Sequence, residues 1–199
     1  MHARYRTTTS SDLIAELRAE IAETRATIAR LQWNTTLNMY RAAGLEEAIR
    51  TLDSTTTYTV VLCDVDRMKA INGATGNHVQ TDRYLADGFA MRYGEIAGQL
   101  HEKGDEFCFV IDDQARDVET DPNAFVARVT QQLAGQPLTI SERYALAAAH
   151  GVPVSQARLS ATFATQSNVS AADVPAAIEA LSCQVLAMKS QRDQKVRVR

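Results

Sequence analysis

The apolar positions Ile14, Leu17, Ile21, Ile28 and Leu31 recur at alternating steps of three and four, with Thr24 in the one missing place. This is a coiled-coil seam of period 3.5, with isoleucine at a and leucine or threonine at d. The rest of that stretch is Glu, Arg and Ala, so the stripe is too narrow to face a globular core. It predicts a helix that pairs in parallel with a second copy. Ser10, Ser11 and Asp12 supply N-cap chemistry ahead of it, and residues 1–9 read as a frayed polar tail. A second helical pattern covers 33–53, with Leu37, Tyr40, Leu45, Ile49 and Leu52 on its apolar side.

After a break at 54–57, the β-branched run Tyr58 to Cys63 predicts a strand. It is apolar almost throughout, which suits a central strand covered on both faces. A helix is predicted over 78–93. Short strands follow at 97–101 and 106–111, with Lys103-Gly104 as the tight turn between them. Asp121-Pro122 opens a helix through Phe125, Val126, Val129 and Leu133. A short strand is expected at 137–140, and the Ala-rich middle of 141–156 is compatible with helix. A strand at 159–165 and a closing helix over 173–192 complete the pattern. Alternating helices and strands place the chain in the α/β class. Residues 1–32 read as a tail and pairing helix, and 33–199 as one domain.

Composition narrows the function classes. The chain has 199 residues, 45% hydrophobic and 23% charged, with a net charge of -3. That suits a soluble domain with a real core. It offers no basic field for nucleic acid or an anionic membrane. No apolar stretch of membrane-spanning length and no signal core stands out, so a cytoplasmic location is expected. Cys63, Cys108 and Cys183 are odd in number and widely spaced, which fits small buried side chains rather than a disulfide or zinc framework.

Two acidic groups carry the candidate chemistry. Asp64-Val65-Asp66 follows the apolar strand, and Gly104-Asp105-Glu106 lies in the turn between two strands. Each alone is more often a solvated loop. Carboxylates converging from neighbouring strand ends can instead hold Mg²⁺ beside phosphate oxygens. Lys69 is either a phosphate contact or a surface lysine. Asn72 is either a purine reader or a turn-former.

Together, VVLCDVDRMKAINGATGNHVQTDRYL and HEKGDEFCFVI resemble the diguanylate cyclase (GGDEF) family, with its D-x-D-x-F-K-x-x-N-D, G-H-x-x-G-D and R-x-G-G-D-E-F motifs in order. TTLNMYRAAGLEEAI, RLSATFATQS and AADVPAAIEALSCQVLAMKSQR are weaker matches to the flanking segments. The resemblance implies a palm-like domain, a central mixed sheet flanked by helices, that makes cyclic di-GMP from GTP with Mg²⁺ or Mn²⁺ across a homodimer. It implies that Asp64, the Val65 carbonyl and Asp105 hold the metal. Glu106 would support metal binding and activate the 3′-hydroxyl. Gly104, Lys69 and Lys189 would meet GTP phosphates, and Asn72 and Asp82 would read guanine. The Asp82 assignment requires a one-residue insertion; without it the position is Thr81. Departures are Lys103 for the first signature glycine, His101 for the preceding arginine, Gly73 for Asp and Met68 for Phe. Gly94 and Ala97 stand where the family's inhibitory R-x-x-D site would be, so feedback through that site is not expected. His78 and His150 receive no role.

Overall fold

The computed structural model describes residues 10–76, 78–89, 96–101, 104–115 and 121–197. The expected tail at 1–9, together with Gly94 and Lys103, lies outside them. Helix α1, Ser10–Gln32, carries the heptad seam. Ile14, Leu17, Ile21, Ile28 and Leu31 are each 47–55% exposed, so the folded domain leaves this stripe uncovered.

The pattern at 33–53 is not one helix. Trp33–Asn34 (β1) and Met39–Tyr40 (β2) form a small antiparallel hairpin before α2, Ala42–Arg50. The side-chain oxygen of Asn34 accepts from the backbone N–H of Thr36 and of Leu37, both at 3.1 Å, an alternative to helix that periodicity does not register. Asn38 completes the turn at φ 52°. At the junction, Arg41 N–H donates to the Gln32 carbonyl at 2.9 Å. A Cβ on Gly44 would stand 2.2 Å from that same oxygen, so only glycine lets the end of α1 rest on α2.

Four further strands join the hairpin: β3 (Thr57–Val65), β4 (Ile96–Gln99), β5 (Glu106–Asp112) and β6 (Ala161–Ser170). The sheet order is β1-β2-β4-β5-β3-β6, with β2 and β4 parallel and the remaining neighbours antiparallel. β3 is central and buried along nearly its whole length. Alternate residues feed two cores. Val61, Cys63, Phe107 and Phe109 face one layer of helices, made by α3 (Met68–Thr75), α4 (His78–Gly88), α5 (Pro122–Ala134) and α6 (Ile140–His150). Val60, Leu62, Cys108 and Val110 face α2 and α7 (Val174–Arg197). The result is a mixed α/β sheet with helices on both faces.

Asn72, which could have formed a turn, lies instead inside helix α3. Met68 and Ile71 anchor it in the core, and Gly76 ends it at φ 63°. The strand expected at 137–140 is absent. Leu138 instead enters the core while Thr139 caps α6. Thr139 N–H donates to Glu142 Oε2 at 2.6 Å, and Glu142 N–H returns to Thr139 Oγ1 at 3.3 Å, a capping box. Tyr84 of α4 donates to the same carboxylate at 2.9 Å, tying two helices together.

One segment bears on the membrane expectation. Within Ala171–Gln194 an 18-residue window has mean hydropathy 1.3, enough to cross a membrane by length and composition only. In the fold its stripe Val174, Ala177, Leu181 and Val185 packs on the sheet, while Leu186 and Met188 remain exposed. Cys63 and Cys108 are buried as expected, whereas Cys183 is exposed.

Glu142→Ala removes the carboxylate half of the capping box and the partner of the Tyr84 hydroxyl. The expected cost is about 2 kcal/mol, seen as a lower urea midpoint with an unchanged slope.

Candidate functional site

Strand β3 runs two residues beyond its expected end, and that extension builds the site. Asp64 stands opposite Glu106 in the β3–β5 register, and Val65 N–H donates to the Asp105 carbonyl at 3.0 Å. The ladder thus brings both acidic groups to one end of the sheet. Burial raises the Asp64 carboxyl to about 6; Asp105 and Glu106 push the same way and Lys189 opposes them.

Lys189, near the end of α7, does not reach outward into solvent. Its ammonium bonds Asp64 Oδ1 and also donates to the Val65 carbonyl at 3.3 Å. These are the two oxygens that the resemblance assigns to a metal. The ammonium is therefore a stand-in ion, and the oxygen donors fit a hard divalent cation. Such a cation has to displace Lys189 to reach them. Among the described residues no three acidic, imidazole or thiol side chains gather tightly enough to hold a metal unaided. Mg²⁺ needs fewer, because it keeps waters and takes phosphate oxygens.

Asp66 reaches toward β6, its Oδ1 3.9 Å from the Lys189 ammonium. It accepts from Ser160 Oγ at 2.8 Å and Thr162 Oγ1 at 2.9 Å, and pairs with Arg192 at 2.6 Å. Burial alone would raise this carboxyl, but Arg192 and Ser160 outweigh it and hold it below the ordinary range. The sequence reading passed over Arg192, Ser160 and Thr162. A signal existed: Arg192 follows Lys189 by three, on the same helix face, and Ser160 and Thr162 alternate with apolar neighbours. Arg67 was also missed. It heads α3 at φ 59° and bonds Asp193 at 2.5 Å.

The remaining candidates spread along α3, α4 and the β4–β5 turn. Asn72 Oδ1 accepts from Thr81 Oγ1 at 2.6 Å. Thr81 is 1% exposed, whereas Asp82 lies one step, roughly 100°, further round the helix. The hydroxyl of Thr81 therefore stands beside Asn72. Lys69 is exposed on α3, with no ion pair among the described residues. Gly104 N–H bonds the His101 carbonyl at 3.2 Å, and His101 Nε2 lies 3.3 Å from Glu106 Oε2. Gly104 does not use a left-handed conformation; a Cβ there would press on His101 at 3.1 Å. Ala97 is buried in β4, paired with Phe109.

Asp64 sets a pH dependence of stability. Its folded value, about 6, exceeds the ordinary 3.8, so between these values the folded state holds a proton the unfolded chain has released. Stability from this group therefore falls as pH rises through that window and is level above it. Asp66 has the opposite sign: its contribution is present above the ordinary value and is lost at lower pH. Urea midpoints of Asp64→Asn should lack the loss of stability that the parent shows from about pH 4 to about pH 6.

No protein-family model matches the sequence, and no curated protein matches it either. Solved structures do match. The diguanylate cyclase SiaD of Pseudomonas aeruginosa, solved with its activator SiaC, aligns with a TM-score of 0.57 at 15% identity. The alignment covers 89% of this chain and 66% of that one, so this chain spans just under two thirds of its length. The coiled coil and GGDEF domain of DgcB from Caulobacter crescentus, solved with c-di-GMP, aligns at 0.55 and 15% identity, covering 91% of this chain and 94% of that one. At this identity the likeness is one of fold. With the sheet order, the helical layers and the acidic strand ends already described, it identifies the chain as having the GGDEF-domain fold.

Proposed function

We propose that the chain is a diguanylate cyclase, joining two GTP molecules into cyclic di-GMP across a homodimer. The observation that supports it most is that Asp64, the Val65 carbonyl, Asp105 and Glu106 lie at one end of β3 and β5, where Asp64 and the Val65 carbonyl already take the Lys189 ammonium. In this reading residues 1–32 pair the subunits and 33–199 form the catalytic unit.

Asp64, Val65 and Asp105 would hold Mg²⁺ or Mn²⁺. The bound cation neutralises triphosphate charge and makes the attacking hydroxyl more acidic. Lys189, released from Asp64, would move to a phosphate, as Lys69 and the Gly104 turn also would. Glu106 would accept the 3′-hydroxyl proton, with His101 holding its carboxylate in place. Asn72 would read the base. Beside it, Thr81 offers a hydroxyl where a carboxylate would take the two N–H groups of guanine, so discrimination against adenine should be weak and ATP belongs beside GTP in the assay.

Each subunit supplies half of the reaction, which makes pairing a matter of positioning. The uncovered seam of α1 supports it: a parallel partner would bury Ile14, Leu17, Ile21, Ile28 and Leu31, and tethering raises the effective concentration of the two domains.

A second reading is a domain that binds nucleotide without turnover. The hold of Lys189 on Asp64 and the hydroxyl of Thr81 favour it.

Incubation with GTP and Mg²⁺ should yield cyclic di-GMP, detected by chromatography, and Asp105→Ala should lower the rate about 100-fold or more. Calorimetric GTP binding with no product at saturating protein would select the second reading. Ile21→Glu should shift the sedimentation coefficient from dimer toward monomer and reduce product formation at low protein concentration, leaving the melting of the isolated subunit little changed.

A further inference from the structure

A basic pocket of about 330 Å³ opens at the same end of the sheet, on the β6 side of Asp66. Arg67, Arg158, Arg192 and His150 line it. Its charges do not balance. Arg67 pairs with Asp193 at 2.5 Å and Arg192 with Asp66 at 2.6 Å. Arg158 pairs with no carboxylate among the described residues; its Nη1 donates to the Ala157 carbonyl at 2.8 Å. Three guanidiniums against two carboxylates leave a positive surplus. Lys189, 3.9 Å from Asp66, is already paired with Asp64 and leaves that surplus unchanged.

Its hydrogen bonds do not balance either. Arg67 Nε, Arg192 Nε and His150 Nε2 are buried without a hydrogen-bond partner, the only buried side-chain nitrogens in that position among the described residues; Arg192 Nε has Asp193 Oδ1 at 3.9 Å. Folded proteins ordinarily pair such groups. All three residues line this pocket, which an acceptor from solution can enter. Burial holds His150 below the usual histidine range, so it contributes a hydrogen-bonding ring more than a charge. The backbone points the same way. Arg67 accepts a left-handed conformation, φ 59°, which strains any residue but glycine, and from there its guanidinium reaches the pocket.

We propose that Arg67, Arg158 and Arg192 form an oxyanion subsite that takes a phosphate group. Planar guanidiniums bond pairs of phosphate oxygens, which a surface of lysines does not do as specifically. Two sources have this chemistry: the terminal phosphate of a nucleotide at the neighbouring acidic cluster, reached past Asp66, or a separate phosphate or pyrophosphate. The subsite does not depend on turnover at that cluster, so it stands or falls apart from the cyclase reading.

Calorimetry of the full chain with pyrophosphate, at low salt and with EDTA present to silence the cation site, tests this. Binding should be measurable. Arg158→Ala, an exposed position whose loss leaves the core intact, should weaken it at least about fivefold, and Arg158→Lys should recover only part. Arg50→Ala, on α2 beside the opposite end of α7, should leave affinity unchanged and so separates the pocket from general charge. Displacement of pyrophosphate by GTP would identify the nucleotide's own phosphate as the occupant; simultaneous binding would identify a separate oxyanion. Absence of pyrophosphate binding, or equal affinity in the parent, Arg158→Ala and Arg67→Ala, would overturn the proposal.

Discussion

A carboxylate at the end of a strand buried on both faces is tolerable only with a positive group against it. Asp64 is that carboxylate and Lys189 supplies the charge. The pair joins the central strand to the closing helix, two elements far apart in sequence. Removing either partner strands the other in a poorly solvated place, a loss of several kcal/mol by the usual behaviour of buried pairs. The same contact presets the chemistry. Asp64 Oδ1 and the Val65 carbonyl together seat the positive charge of Lys189.

Antiparallel pairing does the rest of the positioning. The β3–β5 ladder sets Asp64 opposite Glu106, and a slip of one residue would turn one of them into the core. That slip is opposed by two hydrophobic layers at once, Val61, Cys63, Phe107 and Phe109 on one face and Val60, Leu62, Cys108 and Val110 on the other. The core therefore fixes the site without touching it. Asp66, two residues on, accepts from Ser160 and Thr162 and pairs with Arg192, so both acids of one short motif are held by cations of α7.

Much of the fold was legible where pattern is strong. The seam of α1, the apolar run of β3 and the proline-led start of α5 follow from periodicity and capping. The misses have local physical causes. Asn34 offered its side chain to Thr36 and Leu37 and turned the chain inside an apparently helical stretch. Met68 and Ile71 gained enough burial to make a helix of a segment with glycine at position 73. Thr139 and Glu142 satisfied each other's N–H groups and made a helix start where a strand was expected. Of the site, the acidic residues were visible as motifs, but their neighbours Arg67, Ser160, Thr162 and Arg192 were not.

The sequence by itself determined which groups are available: a heptad seam, a buried strand ending in acids, a second acidic turn, and lysines and arginines near both ends of the domain. Tertiary structure decided who meets whom. It put Lys189 on Asp64, Thr81 beside Asn72 and three arginines around one pocket. The reason is that periodicity and capping act over a few residues and are written locally. Charge pairing across a sheet depends instead on register and on the packing of distant helices, which no short window of sequence contains.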